Sequence, residues 1–234
     1  MSEIKALTFD VFGTVVDWRS SVAREAAAIL GPKGYDLDWP VFADRWRALY
    51  VPAMAKVRGE RPFVILDELH RENLLELLRE DGIADLGAAE IDHLNRAWHR
   101  LDPWPDVVGG LTRLKRRFVL ATLSNGNIAL MVAMARRAGL PWDAILGAEV
   151  SRAYKPTPEA YDRTAGFLRV EPGECLMVAA HASDLRAAAG RGFRTAYVHR
   201  AGEYGAANGE RPWPKDAFDF AVADFGALAD RLGA

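Results

Sequence analysis

The sequence predicts an α/β fold: a doubly wound parallel sheet with a helical segment inserted after its first strand. Three observations carry this. A short apolar run, Ala6-Leu7-Thr8-Phe9, ends on Asp10 and a turn holding Gly13 and Thr14, the pattern of a buried central strand in a parallel sheet. From Pro103 onward, strand-like runs alternate with helical ones, as in repeated βαβ units with right-handed crossovers. Between these parts, residues 17–102 show helical periodicity and few strand signals. The expected organisation is therefore a catalytic core of residues 1–16 and 103–234 and a helical cap domain of residues 17–102.

The elements follow in order. The first strand is expected over Ile4 to Phe9. In the insert, apolar residues recur at helical spacing as Val22, Ala26, Ile29 and Leu30, and again as Phe42, Trp46, Leu49 and Tyr50. Two further stripes are Leu66, Leu69, Leu74, Leu77 and Leu78, and Ile91, Leu94 and Trp98. Gly31-Pro32-Lys33-Gly34 and Gly59-Glu60-Arg61-Pro62 punctuate these stripes, and Pro103-Trp104-Pro105 marks the return to the sheet. Helices are then expected over Val107–Lys115, Ile128–Ala138 (stopped by Gly139), Pro158–Leu168, Ser183–Gly190 and Asp224–Leu232. Strands are expected over Phe118–Leu123, Ala144–Val150, Cys175–Ala180 and Arg194–His199.

Composition narrows the function. The chain has 234 residues, half of them apolar, enough for a well-packed core. A formal net charge of -2 implies no broad basic surface for nucleic acid. The single cysteine, Cys175, rules out an intrachain disulfide and reads as a small core residue. Met1-Ser2-Glu3-Ile4-Lys5 lacks a signal-peptide pattern. No apolar run approaches the ~20 residues that span a bilayer, so a soluble cytoplasmic protein without membrane partners is expected.

Chemistry-bearing residues follow the strands. In such sheets ligands bind beyond the carboxyl ends. Asp10 and Thr14 follow the first strand, Ser124-Asn125-Gly126-Asn127 the second, and Tyr154-Lys155-Pro156 the third. His181-Ala182-Ser183-Asp184 follows the Cys175 strand. Each group alone has a plain reading as a turn former or helix cap. Their convergence on one edge, under the inserted helices, points to an enclosed active site centred on Asp10. Trp18, Trp46 and Trp104 fit the core or the junction between the two parts, and His70, His93 and His99 lack metal-ligand spacing.

These residues resemble the motifs of the haloacid dehalogenase superfamily, in order: Asp10-x-x-x-Thr14, Ser124-Asn125, Lys155-Pro156 and Asp184. The resemblance covers nearly the whole chain and implies a Rossmann-like core with an inserted cap. Most members of that superfamily are magnesium-dependent phosphatases with a second aspartate two residues after the nucleophile. Here that position is Phe12, and the last motif has one acid, Asp184, where two usually hold the metal. Phosphoryl transfer needs a cation and a proton donor, whereas a halide leaves without an acid. The pattern Asp-Val-Phe-Gly-Thr-x-x-Asp, the Ser-Asn-Gly-Asn segment and Tyr154-Lys155-Pro156-x-Pro158-x-x-Tyr161 resemble the type II L-2-haloacid dehalogenases.

That resemblance implies a cofactor-free hydrolase of 2-haloalkanoates with no metal site. Asp10 would attack C2, expel halide and form an aspartyl ester that water hydrolyses to a 2-hydroxy acid of inverted configuration. Lys155 would keep Asp10 ionised, with Thr14 and Ser124 orienting it by hydrogen bonds. Ser124 would also bind the substrate carboxylate, and Asp184 would position or activate the water. Arg47 and Asn125 would receive the halide, with Arg45 the alternative arginine. Phe12 would face the substrate, and Tyr161, counted with the substrate and halide site, would position Lys155 or pack its helix.

The chain departs from the resembled pattern at Ala179 and His181, where many such enzymes place Ser-x-Asn. His181 is then either a water-handling base or a hydrogen-bonding substitute. Members with such changes are expected to favour smaller or fluorinated acids. The competing readings are a magnesium-dependent phosphatase of the same fold and a non-catalytic binding protein on it. The resembled dehalogenases also lead one to expect a homodimer packed through cap helices.

Overall fold

The structure is a computed structural model that describes residues 3–59, 61–205 and 212–234. Met1 and Ser2, and Glu60 of the punctuation at 59–62, lie outside the described residues. Six parallel strands form one sheet: β1 (Ala6–Phe9), β4 (Val119–Ser124), β5 (Ala144–Gly147), β6 (Cys175–Ala179), β7 (Arg194–Val198) and β8 (Phe220–Val222). Their order is β5-β4-β1-β6-β7-β8, so the strand that ends before Asp10 is central. β1 pairs with β4 on one side and β6 on the other, with Phe9 opposite Thr122 and Val178. All four of its residues are buried, which explains why it is apolar apart from Thr8, whose hydroxyl donates to Met177 Sδ at 3.5 Å.

Helices cover both faces of the sheet: α6 (Val107–Leu114), α7 (Ile128–Ala138), α8 (Ala148–Ser151), α9 (Pro158–Leu168), α10 (Ala182–Ala189) and α11 (Phe225–Leu232). Their ends obey the sequence. Pro158 occupies the first turn of α9, and Gly139 ends α7 in the left-handed conformation at φ +69°. The Asp224 carboxylate caps α11 by accepting from the Ala227 N–H.

The chain leaves the sheet through β2 (Val16–Asp17) and returns through β3 (Asp102–Pro103), an antiparallel pair of two residues each. Between them lie α1 (Trp18–Leu30), α2 (Trp39–Ala48), α3 (Tyr50–Gly59), α4 (Leu66–Glu80) and α5 (Ala88–Asn95). Asp17 and Asp38 cap α1 and α2 through N–H groups of Ser20 and Val41. The insert packs around Trp18, Trp46 and Trp98, with the Trp98 ring centroid 6.2 Å from that of Trp18 and 5.6 Å from that of Trp46.

Two stretches differ from the sequence reading. The strand expected to reach Val150 stops at Gly147, and Ala148–Ser151 forms a helical turn. Gly147 has φ +140°, and a Cβ there would stand 2.1 Å from the Ser124 carbonyl oxygen, so the backbones close up and the strand bends away. The edge strand β8 is unforeseen because its apolar run, Phe220-Ala221-Val222, is only three residues long, mostly half-exposed or exposed, and runs almost directly into the helix start at Asp224.

Candidate active site

Four connections at the carboxyl edge of the sheet bring the polar groups together. Asp10 leaves β1 with its N–H bonded to the Val178 carbonyl, 3.0 Å away. The Thr14 hydroxyl donates to Asp10 Oδ2 at 2.7 Å and accepts from the Ala180 N–H at 2.9 Å, tying the turn to the end of β6. Lys155 Nζ donates to Asp10 Oδ1 at 2.9 Å and to Asp184 Oδ2. Asp184 sits in the first turn of α10, where a carboxylate suits the helix dipole. Its other oxygen accepts from the Tyr161 hydroxyl at 2.6 Å. His181, at the N-cap position of α10, places Nδ1 2.9 Å from Asp10 Oδ2 and Nε2 2.9 Å from Glu203 Oε1.

Charge balance follows from these contacts. Burial opposes ionisation of Asp10, but Lys155, His181 and Thr14 outweigh it and hold the carboxyl well below the ordinary aspartate range. Burial likewise opposes charge on Lys155, and the carboxylates of Asp10 and Asp184 keep it protonated. Burial also works against a charged His181, yet its bonds to Asp10 and Glu203 push it up to about 9. The resting site thus holds an ionised Asp10 between an ammonium and an imidazolium.

The opposite wall comes from α2 and α3. A cavity of about 270 Å³ is lined by Asp10, Phe12, Asn125, Lys155, His181 and Asp184 on one side and by Arg47, Tyr50, Met54 and Arg58 on the other. The Arg47 guanidinium lies over the Tyr50 ring, 4.0 Å from its centroid, with the rings of Trp18 and Phe12 at 5.6 and 6.0 Å. Its Nη1 is buried without a hydrogen-bond partner. Arg45 is instead ion-paired on the surface, 2.5 Å from Asp81 and 3.0 Å from Glu80. Between the two arginines weighed from sequence, only Arg47 lines the cavity.

Asn125 lines the cavity while its Oδ1 accepts from the Lys155 N–H at 2.8 Å. Asn127 ties the sheet to α4, donating to Asp67 Oδ2 at 2.8 Å and accepting from the Asp67 N–H at 3.2 Å. The Tyr154 hydroxyl makes a second clasp by donating to the Val64 carbonyl at 2.7 Å.

Two of the expected residues stand elsewhere than the sequence suggested, Ser124 and Tyr161. Ser124 makes no hydrogen bond to Asp10 and does not line the cavity; its Oγ accepts from the Gly126 N–H at 3.1 Å, closing the turn that presents Asn125. Tyr161 is fully buried and lines no part of the cavity, and it acts on Lys155 only through Asp184. Asp184 reaches the cavity with one oxygen accepting from the Tyr161 hydroxyl and the other from Lys155 Nζ. Trp18 and Trp46 are core residues, and Trp104 donates to the Gly13 carbonyl at 3.0 Å. Cys175 is buried, and burial pushes its thiol up to about 12.

Sequence reasoning assigned no site role to Glu203, Tyr50, Met54, Arg58 and Tyr204. Glu203 was within reach of the same logic that found the others: it follows the Arg194 strand, the one strand end left unread. The α3 residues carry no local signal, because cavity-facing and core-facing apolar side chains look alike along a helix.

A doubly wound sheet with an aspartate at the end of its central first strand, facing a cavity walled by the helices inserted after that strand, places the chain among the α/β hydrolases. A family model described as haloacid dehalogenase-like hydrolase matches residues 4–192, and the chain belongs to that family. Among solved structures it is similar to a defluorinating L-2-haloacid dehalogenase, at 46% identity and TM-score 0.96, covering 99% of this chain and 96% of that one. A second L-2-haloacid dehalogenase shares 42% identity at TM-score 0.94, covering 98% and 99%. The (S)-2-haloacid dehalogenase 1 of Pseudomonas sp. (strain CBS-3) is 30% identical over 207 residues, 86% of each chain.

The family's common Mg²⁺ does not fit the residues present. The two carboxylates that would share the ion, Asp10 and Asp184, are bridged by the Lys155 ammonium, and position 12 offers an apolar ring. Among the described residues no group of three or more His, Cys, Asp or Glu side chains is arranged to hold a metal ion.

Proposed function

We propose that this protein hydrolyses L-2-haloalkanoates to 2-hydroxy acids of inverted configuration through an ester on Asp10, without a metal. The carrying observation is the cavity itself: an ionised carboxylate held by Lys155 faces an apolar ring, Phe12, and a guanidinium with an uncommitted donor, Arg47. Asp10 attacks C2 on the side opposite the halogen, and the carbon–halogen electron pair leaves with the halide. Arg47 and Asn125 stabilise that developing charge. Thr14 orients Asp10, Asp184 and Tyr161 hold Lys155 in place, and Phe12 keeps the reacting carbon away from water. Similarity to a defluorinating enzyme and the modest cavity support small acids, fluoroacids among them, as substrates.

In this reading residues 17–102 act as the cap that closes the site, and the chain works as a cytoplasmic homodimer. Among the described residues no helix is long and apolar enough to cross a membrane. Sedimentation velocity tests the dimer.

Multiple turnovers of (S)-2-chloropropionate in ¹⁸O-labelled water should release chloride and (R)-lactate and place label in the Asp10 peptide, with EDTA leaving the rate unchanged. Asp10→Asn should abolish chloride release. Label absent from Asp10, or turnover of phosphate esters but not of haloacids, would overturn the proposal.

A further inference from the structure

The hydrolytic half of the reaction needs a group that takes a proton from water, and Asp184 is committed elsewhere. We propose that His181 is that base, that Glu203 fixes its tautomer, and that ester formation on Asp10 is the event that arms it. This rests on the haloacid reading above.

Glu203 reaches the site from the turn after β7 and is 1% exposed. Its Oε1 lies 2.9 Å from His181 Nε2 and accepts from the Trp18 indole N–H at 3.4 Å. The backbone makes room for it. Gly13 has φ +83°, and a Cβ there would stand 2.0 Å from Glu203 Oε1 and 3.2 Å from His181 Cε1. The turn that follows the nucleophile is therefore shaped around the Glu203–His181 pair. Among the described residues, the ionisable groups facing the imidazole are Asp10 from the end of β1 and Glu203 from beyond β7, with Lys155 and Asp184 on the far side of Asp10.

With both carboxylates charged, His181 donates from both nitrogens. Attack by Asp10 forms the carbon–oxygen bond as the carbon–halogen bond breaks, and the halide takes the electron pair. The Asp10 charge is gone, so the anion facing Nδ1 has become a neutral ester. The Nδ1 proton then departs to solvent, while Glu203 retains the proton on Nε2. The Nδ1 lone pair now faces the Asp10 acyl group. A water there gives one proton to Nδ1 as its oxygen bonds to the Asp10 carbonyl carbon. The tetrahedral intermediate collapses by breaking the acyl bond to the 2-oxygen, which takes the remaining proton of the attacking water. Asp10 returns as carboxylate and His181 as imidazolium. One water is consumed, and one halide and one proton are released.

The test has two arms. In rapid-quench experiments with (S)-2-chloropropionate, Glu203→Gln should release one chloride per enzyme at a rate within about threefold of the native one. Ester hydrolysis should then slow about 10²-fold or more, so that the adduct accumulates in the intact-protein mass spectrum. Equal slowing of both halves, or no accumulated adduct, would overturn the inference. The second arm needs no substrate. In ¹⁵N-histidine spectra at pH 7, His181 of the native protein should be protonated on both nitrogens. In Asp10→Ala it should be neutral with its proton on Nε2, and the double variant Asp10→Ala/Glu203→Gln should lose that preference. A charged or Nδ1-protonated His181 in Asp10→Ala refutes the relay even where haloacid turnover is normal. Native protein that shows the expected spectra but releases no halide refutes the substrate assignment instead.

Discussion

The two walls of the cavity handle their polar groups in opposite ways. On the sheet side, Asp10, Lys155, Asp184, Tyr161, His181 and Glu203 form one connected set in which each ionisable group has a partner. On the helical side, buried nitrogens of Arg47, His70 and Trp98 have no hydrogen-bond partner. His70 stacks on Trp98 with ring centroids 4.4 Å apart, and burial, aided by the nearby positive charge of Arg47, pushes it down to about 3. The sheet wall is thus finished before substrate arrives, with its charges balanced. The helical side keeps the imidazole behind its wall neutral and the wall's guanidinium among aromatic faces, so an incoming anion meets a cation that no carboxylate among the described residues has neutralised.

This contrast can be broken most severely on the sheet side. Lys155→Met leaves Asp10 and Asp184 buried without their shared cation. Chloride release should fall by more than about 10³-fold, and denaturant unfolding should show a loss of about 3–5 kcal/mol. A stable, active Lys155→Met protein would mean that the connected set is not what holds the charge.

On the helical side, Arg47→Lys keeps the charge but loses the planar, multi-donor group. We expect kcat/KM for 2-chloropropionate to drop about 10²-fold with thermal stability nearly unchanged. Unimpaired turnover would show that the halide is received elsewhere.

His70 gives a pH signature in stability. Its folded pKa lies below the ordinary value near 6.5, so the unfolded chain binds the proton more readily. The stabilisation is complete above about pH 6.5 and declines as pH falls toward about 3. By pH 4 this amounts to roughly 3 kcal/mol. His70→Phe should flatten that acid limb in urea unfolding; an unchanged limb would place the acid sensitivity in another group.

The smallest effect should come from Arg45→Ala. Its pair with Glu80 is exposed and its pair with Asp81 only partly buried, and neither touches the cavity, so turnover should change less than twofold and stability by about 1 kcal/mol.

The sheet wall was largely legible in the sequence, and the helical wall was not. Asp10 and His181 follow their strands at once, Asp184 lies in the helical turn after β6 and Lys155 beyond the short helix after β5, and in a parallel sheet strand ends share an edge. Topology therefore converts their spacing into proximity. Ser124 shows the limit of that logic: being at the edge did not bring its hydroxyl to Asp10, since the local turn claimed it first. The helical wall depends on which face of α2 and α3 turns inward, which one-residue differences decide. Arg45 and Arg47 lie on the same helix, yet one meets Asp81 and the other Tyr50. Their surroundings come from α3 and α4, which no local pattern in α2 encodes.

The two-residue ribbon of β2 and β3 has a further consequence, for the order of folding. It pairs Val16 with Pro103 and so brings the two ends of the helical insert side by side. The central ladder between β1 and β4 otherwise has to close a loop containing that whole insert, and closure entropy grows with loop length. An insert that forms first and zips its own neck leaves only residues 10–15 and 104–118 as the effective loop. Pulsed hydrogen exchange during refolding should then find amides of α1 and α4 protected before those of β1. Protection of β1 ahead of the insert would reverse that order.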